Sequence, residues 1–116
     1  MSQGSQAELW SEQYLQRQGL ELVARNFRSR FGEIDLIMLD KTSLVFVEVR
    51  LRSNTNFGGA AASIDARKQQ RIIRTAQQYL GGLAHPPPCR FDAVLMDDAQ
   101  GKNLQWLKNA FEAWFG

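Results

Sequence analysis

The sequence has too little cysteine and histidine for a zinc site or a disulfide-stabilised fold. It contains one cysteine, Cys89, and one histidine, His85, so neither an internal disulfide nor a Cys/His metal cluster can form. Long apolar runs are also missing: the longest, LVFV at 44–47, is far too short to cross a bilayer. The first residues, MSQGSQAELW, lack the apolar segment of a signal peptide. These absences favour a cytoplasmic protein with no membrane partner.

A large excess of charge of one sign is absent as well. The formal net charge is +2 and the pI is near 9.0, which permits a nucleic-acid partner without requiring one. No glycine-rich phosphate loop of the P-loop or Rossmann type is present, which disfavours nucleotide hydrolysis and hydride transfer. The 116 residues have an ordinary composition, 44% hydrophobic and 22% charged, and we expect one domain over residues 1–116.

Hydrophobic periodicity predicts an α/β fold of the order α-β-β-β-α-β. The predicted elements are a helix at 6–18, strands at 20–28, 33–39 and 44–51, a loop at 53–62, a helix at 64–80 with Ser63 as its N-cap, and a strand at 90–96. A short edge strand at 103–108 is expected to run into a terminal helix at 109–115.

The clearest feature is the hairpin formed by EIDLIML (33–39) and LVFVEVRL (44–51). If Leu39 faces Leu44 across the turn, then Asp35 faces Glu48 on one side of the sheet. The same register places Glu33 opposite Arg50. It leaves the other side wholly apolar, with the pairs Ile34–Val49, Leu36–Val47 and Met38–Val45.

Two carboxylates that face each other across neighbouring strands repel and destabilise a sheet. Either one of them takes up a proton, or a cation lies between them. Magnesium suits such a position, because it takes oxygen ligands and is commonly held by one or two carboxylates together with phosphate oxygens. The hairpin therefore predicts a divalent-metal site at Asp35 and Glu48.

The motif GEIDLI followed by VFVEVRLR resembles the D…(D/E)-x-K signature of the restriction-endonuclease-like nucleases. More closely, the chain resembles the bacterial YraN family of predicted endonucleases, which are related in fold to archaeal Holliday-junction resolvases. The resemblance extends through Glu8, Asn26-Phe27, Gly58, Lys68 with Arg71, and RFDAV. It implies a restriction-endonuclease-like core, in which helices flank a central mixed sheet. It also implies a Mg²⁺- or Mn²⁺-dependent endonuclease that hydrolyses phosphodiester bonds of nucleic acid, with DNA favoured and branched DNA included.

Residue by residue, the resemblance implies that Asp35 and Glu48 are catalytic metal ligands and that the backbone carbonyl of Val49 adds an oxygen. Under the resemblance Glu8 is an auxiliary acid reaching in from the first helix, whereas its helical spacing alone favours a solvent-facing position. Glu33 is a second predicted auxiliary acid. The lysine of the signature falls at Arg50, which is a departure, since arginine stays protonated and cannot act as a general base. Arg50 can orient water or neutralise phosphoryl charge, or it can simply pair with Glu33.

Lys68 lies on the apolar stripe of the second helix, where it either extends to solvent or reaches a phosphate. It is the fourth predicted catalytic residue. A surrounding set of basic residues is suited to phosphate contacts; it comprises Arg28, Arg30, Arg52, Arg67, Arg71 and Arg74.

Two other functions remain open at this point. A non-catalytic nucleic-acid-binding module of the same fold is favoured by Arg50 at the lysine position. A protein-interaction scaffold or homodimer is suggested by Trp10, Trp106 and Trp114. Asp92 is expected to make local hydrogen bonds at the start of its strand.

Overall fold

The computed structural model describes residues 2–52 and 64–113. These residues form a five-stranded mixed sheet and two helices. The strands lie in the order β1-β2-β3-β4-β5. The elements are α1 (Gln3–Arg17), β1 (Glu21–Ser29), β2 (Gly32–Asp40), β3 (Ser43–Leu51), α2 (Ala66–Gly81), β4 (Cys89–Met96) and β5 (Gln105–Phe111). The predicted α/β restriction-endonuclease-like arrangement is confirmed, and the predicted edge strand at its end is present as β5.

Strand β3 lies in the middle of the sheet, which explains its nearly continuous apolar sequence. It pairs antiparallel with β2 and parallel with β4, and α2 makes the crossover that a parallel pair needs. Five consecutive residues of β3, from Leu44 to Glu48, are buried. A strand covered on both faces carries apolar residues at every position rather than at alternate ones, so an acid at Glu48 is out of pattern.

Each helix covers one face of the sheet. On the α1 side, Ala7 and Leu15 pack with residues from the centre of the sheet, namely Leu36, Met38, Val45, Val47 and Val94. On the α2 side, Ile72, Ile73 and Ala76 pack on the opposite set, Ile37, Leu44, Phe46, Phe91 and Ala93. Neither helix in the described part of the chain is long and apolar enough to cross a membrane.

The predicted alternation of side chains along β2 was wrong at one point. Ile34 packs with Ile37 and Phe46 on the α2 side instead of with Leu36 on the α1 side. The interruption falls at Asp35, between these two residues. Across from it on β1 lies Asn26, which has a left-handed φ of 51°. Asparagine tolerates this conformation better than most residues. The left-handed residue interrupts the pleat of the sheet opposite Asp35.

The predicted terminal helix was also wrong, because residues 109–111 belong to β5. Phe111 lies opposite Phe91 of β4, and their rings stack with centroids 5.0 Å apart. Pairing with β4 overrides the helical preference of the isolated segment.

The start of α2 differs from the prediction as well. Its N-cap is Asp65, whose carboxylate accepts a hydrogen bond of 2.8 Å from the Lys68 amide. The predicted cap, Ser63, and the predicted loop at 53–62 lie outside the described residues.

Candidate metal centre

Strands β2 and β3 separate at the acids. Their pairing runs from Asp40–Ser43 to Leu36–Val47, in the predicted register, and ends there. Asp35 then takes the place of a strand partner, because its Oδ2 accepts a hydrogen bond of 2.8 Å from the Val49 amide. The carboxylate of Asp35 thus lies in the gap between the strands, so Asp35 and Glu48 meet without forming the predicted ladder pair.

Three more carboxylates approach Asp35. Carboxylate oxygens of Glu8, Glu33 and Asp35 lie within 4.8 Å of one another, and Glu48 is close enough to be repelled by Asp35. Glu8 reaches the group from α1, as the family resemblance implied. We call Glu8, Glu33, Asp35 and Glu48 the acid cluster.

Asn26 connects two of these acids and was missed as a site residue by the sequence reasoning. With its amide nitrogen turned towards the carboxylates, it donates to Glu33 Oε1 at 2.6 Å and to Glu8 Oε1 at 3.0 Å. The signal was an asparagine in the middle of a strand, a position that this residue type avoids. Its left-handed backbone interrupts β1 opposite Asp35, and its amide holds Glu33 and Glu8 beside that residue.

Burial and mutual repulsion raise the pKa values of three acids in the cluster, Glu8, Asp35 and Glu48. Burial, followed by the charge of Asp35, raises the pKa of Glu48 from 4.5 to about 7. Burial and the same charge raise the pKa of Glu8 from 4.5 to about 7. Burial also raises the pKa of Asp35, although the hydrogen bond from Val49 opposes the change. An added cation would relieve these costs.

Two basic side chains face the acids from different elements. Lys68 of α2 places its Nζ 3.7 Å from Glu48 Oε1, so this lysine reaches the centre from its helix. Arg50 of β3 lowers the pKa of both Asp35 and Glu48 through its charge. Neutralisation is incomplete: Glu48 Oε2 is buried and has no hydrogen-bond partner among the described residues.

A cavity of about 510 Å³ opens on the acids and is lined by Glu8, Asp35, Glu48 and Arg50, together with Val49. Carboxylate and carbonyl oxygens are the ligands preferred by Mg²⁺ and Mn²⁺. The orphaned oxygen of Glu48 and the all-oxygen donor set therefore fit a hard divalent cation.

The predicted basic residues fall into two groups. Arg28 pairs with Glu33 at 3.2 Å, its neighbour across β1 and β2; the predicted Glu33–Arg50 pair is not part of the β2–β3 register. Arg52 binds Asp97 at 2.9 Å and so ties β3 to the turn after β4. Within residues 2–52 and 64–113, no acidic partner is found for the remaining four, Arg30, Arg67, Arg71 and Arg74.

Asp92, Trp10 and Trp106 do not line the cavity at the acid cluster. Asp92 is fully buried and accepts hydrogen bonds from Arg90, Trp106 and Asn109, which fits the expected local role. Trp106 packs in the α1-side core, whereas Trp10 is 40% exposed. Trp114 lies outside the described residues.

The raised pKa of Glu48 predicts how stability depends on pH in the metal-free protein. Between pH 4.5 and about 7 the unfolded chain releases this proton while the folded chain retains it, so the free energy of unfolding falls as pH rises, by about 3 kcal/mol at most. Urea titrations across this window measure the effect. Glu48→Gln should make the profile less steep, with Glu8 still contributing its own share, whereas Glu21→Gln, at an exposed position of β1, should leave it unchanged. A wild-type profile that is already flat would contradict the electrostatic account.

Comparison with known proteins finds relatives that cover most of the chain. The uncharacterised protein family UPF0102 matches residues 7–96. The UPF0102 protein of Nitrosospira multiformis is 52% identical over 94% of this chain and 92% of its own length. That of Nitrosomonas europaea is 53% identical over 96% and 94%, and that of a Janthinobacterium species is 60% identical over 86% and 79%. The chain therefore belongs to the UPF0102 family, the YraN family that its motifs resemble.

Proposed function

We propose that this protein is a metal-dependent endonuclease that hydrolyses phosphodiester bonds of nucleic acid, in the first instance DNA. The observation that carries the proposal is the meeting of Asp35 and Glu48 at a solvent-accessible cavity, with one buried carboxylate oxygen left without a hydrogen bond. A stable fold has no need of such a costly group. Strongly perturbed acids in a cleft are typical of functional sites.

The residues that would hold Mg²⁺ or Mn²⁺ are Asp35, Glu48 and the backbone carbonyl of Val49, with Glu8 and Glu33 as auxiliary acids. When bound, such an ion supplies Lewis-acid stabilisation of phosphoryl oxygens and lowers the pKa of water. Asp35 is held in place for this role by the Val49 amide. Asn26 holds Glu8 and Glu33 beside it.

Positive charge at the site comes from β3 and from α2. Arg50 is permanently protonated, so its role is to neutralise charge at the phosphoryl group and to orient water. Lys68 reaches Glu48 from the helix and supplies the ammonium group that the nuclease signature normally carries on the strand. Although Arg50 replaces the lysine of the signature, the centre therefore still contains a lysine, Lys68.

A non-catalytic nucleic-acid-binding module is the second candidate, and Arg50 at the signature lysine position favours it. This alternative predicts binding that weakens with salt, with no turnover in any divalent metal. It shares the basic surface with the nuclease but has no use for the acid cluster. Metal binding therefore separates the two functions.

Calorimetric titration with Mn²⁺ tests the proposal. We expect wild type to bind Mn²⁺, and Asp35→Asn and Glu48→Gln each to weaken the affinity by more than about 10-fold, because even an outer-shell partner contributes that much. The control Asp98→Asn changes an acid in the turn between β4 and β5 and should bind as wild type does. Equal affinities in all four proteins would contradict the proposal. A cleavage screen over linear, nicked and four-way-junction DNA then identifies the substrate.

A further inference from the structure

The turn between β1 and β2 presents an aromatic ring that the core does not explain. Phe31 is half-buried and, within the described residues, is part of neither hydrophobic cluster. Two guanidinium groups cover it instead: Arg30 Cζ lies 4.9 Å from the ring centroid and Arg74 Cζ lies 5.6 Å away. The backbone amide of Phe31 is fixed by a hydrogen bond of 3.0 Å to Ser29 Oγ.

This turn is fastened to α2, so the hairpin and the helix form one continuous surface. The Ser29 and Thr75 hydroxyls lie 3.0 Å apart and share a hydrogen bond, and Thr75 is fully buried. Gly32 lies against α2 as well: a Cβ at this position would be 3.5 Å from Arg71 Cβ. We call Arg30, Phe31, Arg71 and Arg74 the hairpin-tip surface.

Within the described residues, acids do not compensate the charge of this surface, whereas three other arginines are paired with acids. Arg25, Arg28 and Arg52 are paired with Glu12, Glu33 and Asp97. In the described part of the chain, Arg30, Arg71 and Arg74 have no acidic partner. Three unpaired guanidinium groups around a ring attract an anion that also has a flat face, and a nucleotide has both features.

We infer that the hairpin-tip surface binds an unpaired nucleotide of a nucleic-acid substrate. The inference rests on the proposed function for the identity of the substrate. The base stacks on the layer formed by Phe31 and the guanidinium groups that cover it, as unpaired bases do on aromatic and arginine side chains. Arg71 and Arg74 bind the neighbouring phosphates. A continuous duplex, whose bases are stacked on one another, offers no such base.

The distance from the hairpin-tip surface to the acid cluster sets the expected position of cleavage. Phe31, the turn residue just before β2, precedes Asp35 by four residues, which is roughly 13 Å at the rise of a strand. One DNA strand advances about 3.4 Å per nucleotide along the duplex axis, so the separation spans about four nucleotides. The preferred substrate therefore has a boundary between duplex and single strand, and cleavage falls about four nucleotides from it.

Fluorescence anisotropy in EDTA, where cleavage is excluded, tests this inference with two labelled DNAs: a blunt duplex and the same duplex with an unpaired extension. Wild type should prefer the extended DNA. Phe31→Leu should weaken binding to the extended DNA by about 5-fold or more and leave blunt binding nearly unchanged. Arg71→Gln combined with Arg74→Gln should reduce the slope of log affinity against log salt by about 1.4–1.8 on both DNAs.

The matched control is Arg17→Gln, at an exposed arginine in the last turn of α1, which should bind as wild type does. Thermal unfolding establishes that each variant is folded. If the folded Phe31 and double-arginine variants bind both DNAs like wild type, the inference is overturned while Asp35-dependent cleavage is unaffected. If binding depends on the tip but cleavage persists in Asp35→Asn, the inference is supported and the nuclease proposal fails. If wild type binds neither DNA at low salt, both are overturned.

Discussion

Asp35→Asn is expected to reduce DNA cleavage by at least about 100-fold, the upper end of the loss caused by removing an outer-shell partner of a metal. The amide keeps the shape of the carboxylate, and its oxygen can still accept the hydrogen bond from the Val49 amide. What disappears is the negative charge. Because that charge raises the pKa of both Glu8 and Glu48, its loss also removes repulsion. We therefore expect the variant to be at least as stable as wild type.

Cleavage rates under single-turnover conditions, with Tm measured on the same preparations, check this combination of lost activity and retained stability. Asp98→Asn, purified in parallel, controls for the substitution type and for contaminating nuclease. Wild-type cleavage by a folded Asp35→Asn protein would show that the acid cluster is not the active centre.

Asp92→Ala should cost about 3–5 kcal/mol of unfolding free energy, the range for removing one partner of a buried ionic network. The Asp92 carboxylate is fully buried. It accepts hydrogen bonds from Arg90 Nε at 3.0 Å, from Trp106 Nε1 at 3.0 Å and from the Asn109 amide at 3.1 Å. Alanine would leave three donors without their acceptor, including a charged one.

Urea unfolding of wild type, Asp92→Ala and Asp92→Asn measures this cost. Asparagine retains one acceptor oxygen and should lose less stability than alanine does. Mn²⁺ affinity of any folded Asp92 variant should equal that of wild type, because Asp92 lies outside the acid cluster. A loss below about 1 kcal/mol in Asp92→Ala would mean that the network contributes little more than an ordinary hydrogen bond.

The register of the β2–β3 hairpin could be predicted from the sequence because two local constraints agree. The turn at Lys41-Thr42 is short, and the apolar alternation on each side of it permits only one register without exposing the core. The pairs from Asp40–Ser43 to Leu36–Val47 confirm that prediction. The meeting of Asp35 with Glu48 followed from it.

The details at the acids could not be predicted, because they depend on a residue from another strand. The left-handed conformation of Asn26 breaks the pleat opposite Asp35, and no periodicity within β2 reveals it. The same limit applies at the other end of the sheet. Asn109, also left-handed with φ 52°, donates its amide to Asp92 within a segment that was predicted to be helical.

Which arginines remain available to a ligand is also a tertiary property. The sequence alone assigns Arg52 and Arg74 to the same set of basic residues suited to phosphate contacts. In the fold, Arg52 is held by Asp97, whereas Arg74 covers the ring of Phe31. Sequence reasoning can supply the set of cations, but only the approach of distant acids decides which of them are neutralised.

The hydrogen bond between Asp35 and Val49 makes one backbone group a probe of the centre. The Val49 amide points at a carboxylate rather than at a neighbouring strand, while the register of β3 with β4, Val49 beside Val94, keeps its position fixed. Its NMR resonance and its rate of exchange with solvent will consequently follow the ionisation and ligation of Asp35. The Val49 resonance of ¹⁵N-labelled protein can thus report the ionisation of Asp35, and binding at the proposed metal site, without any substitution in the chain.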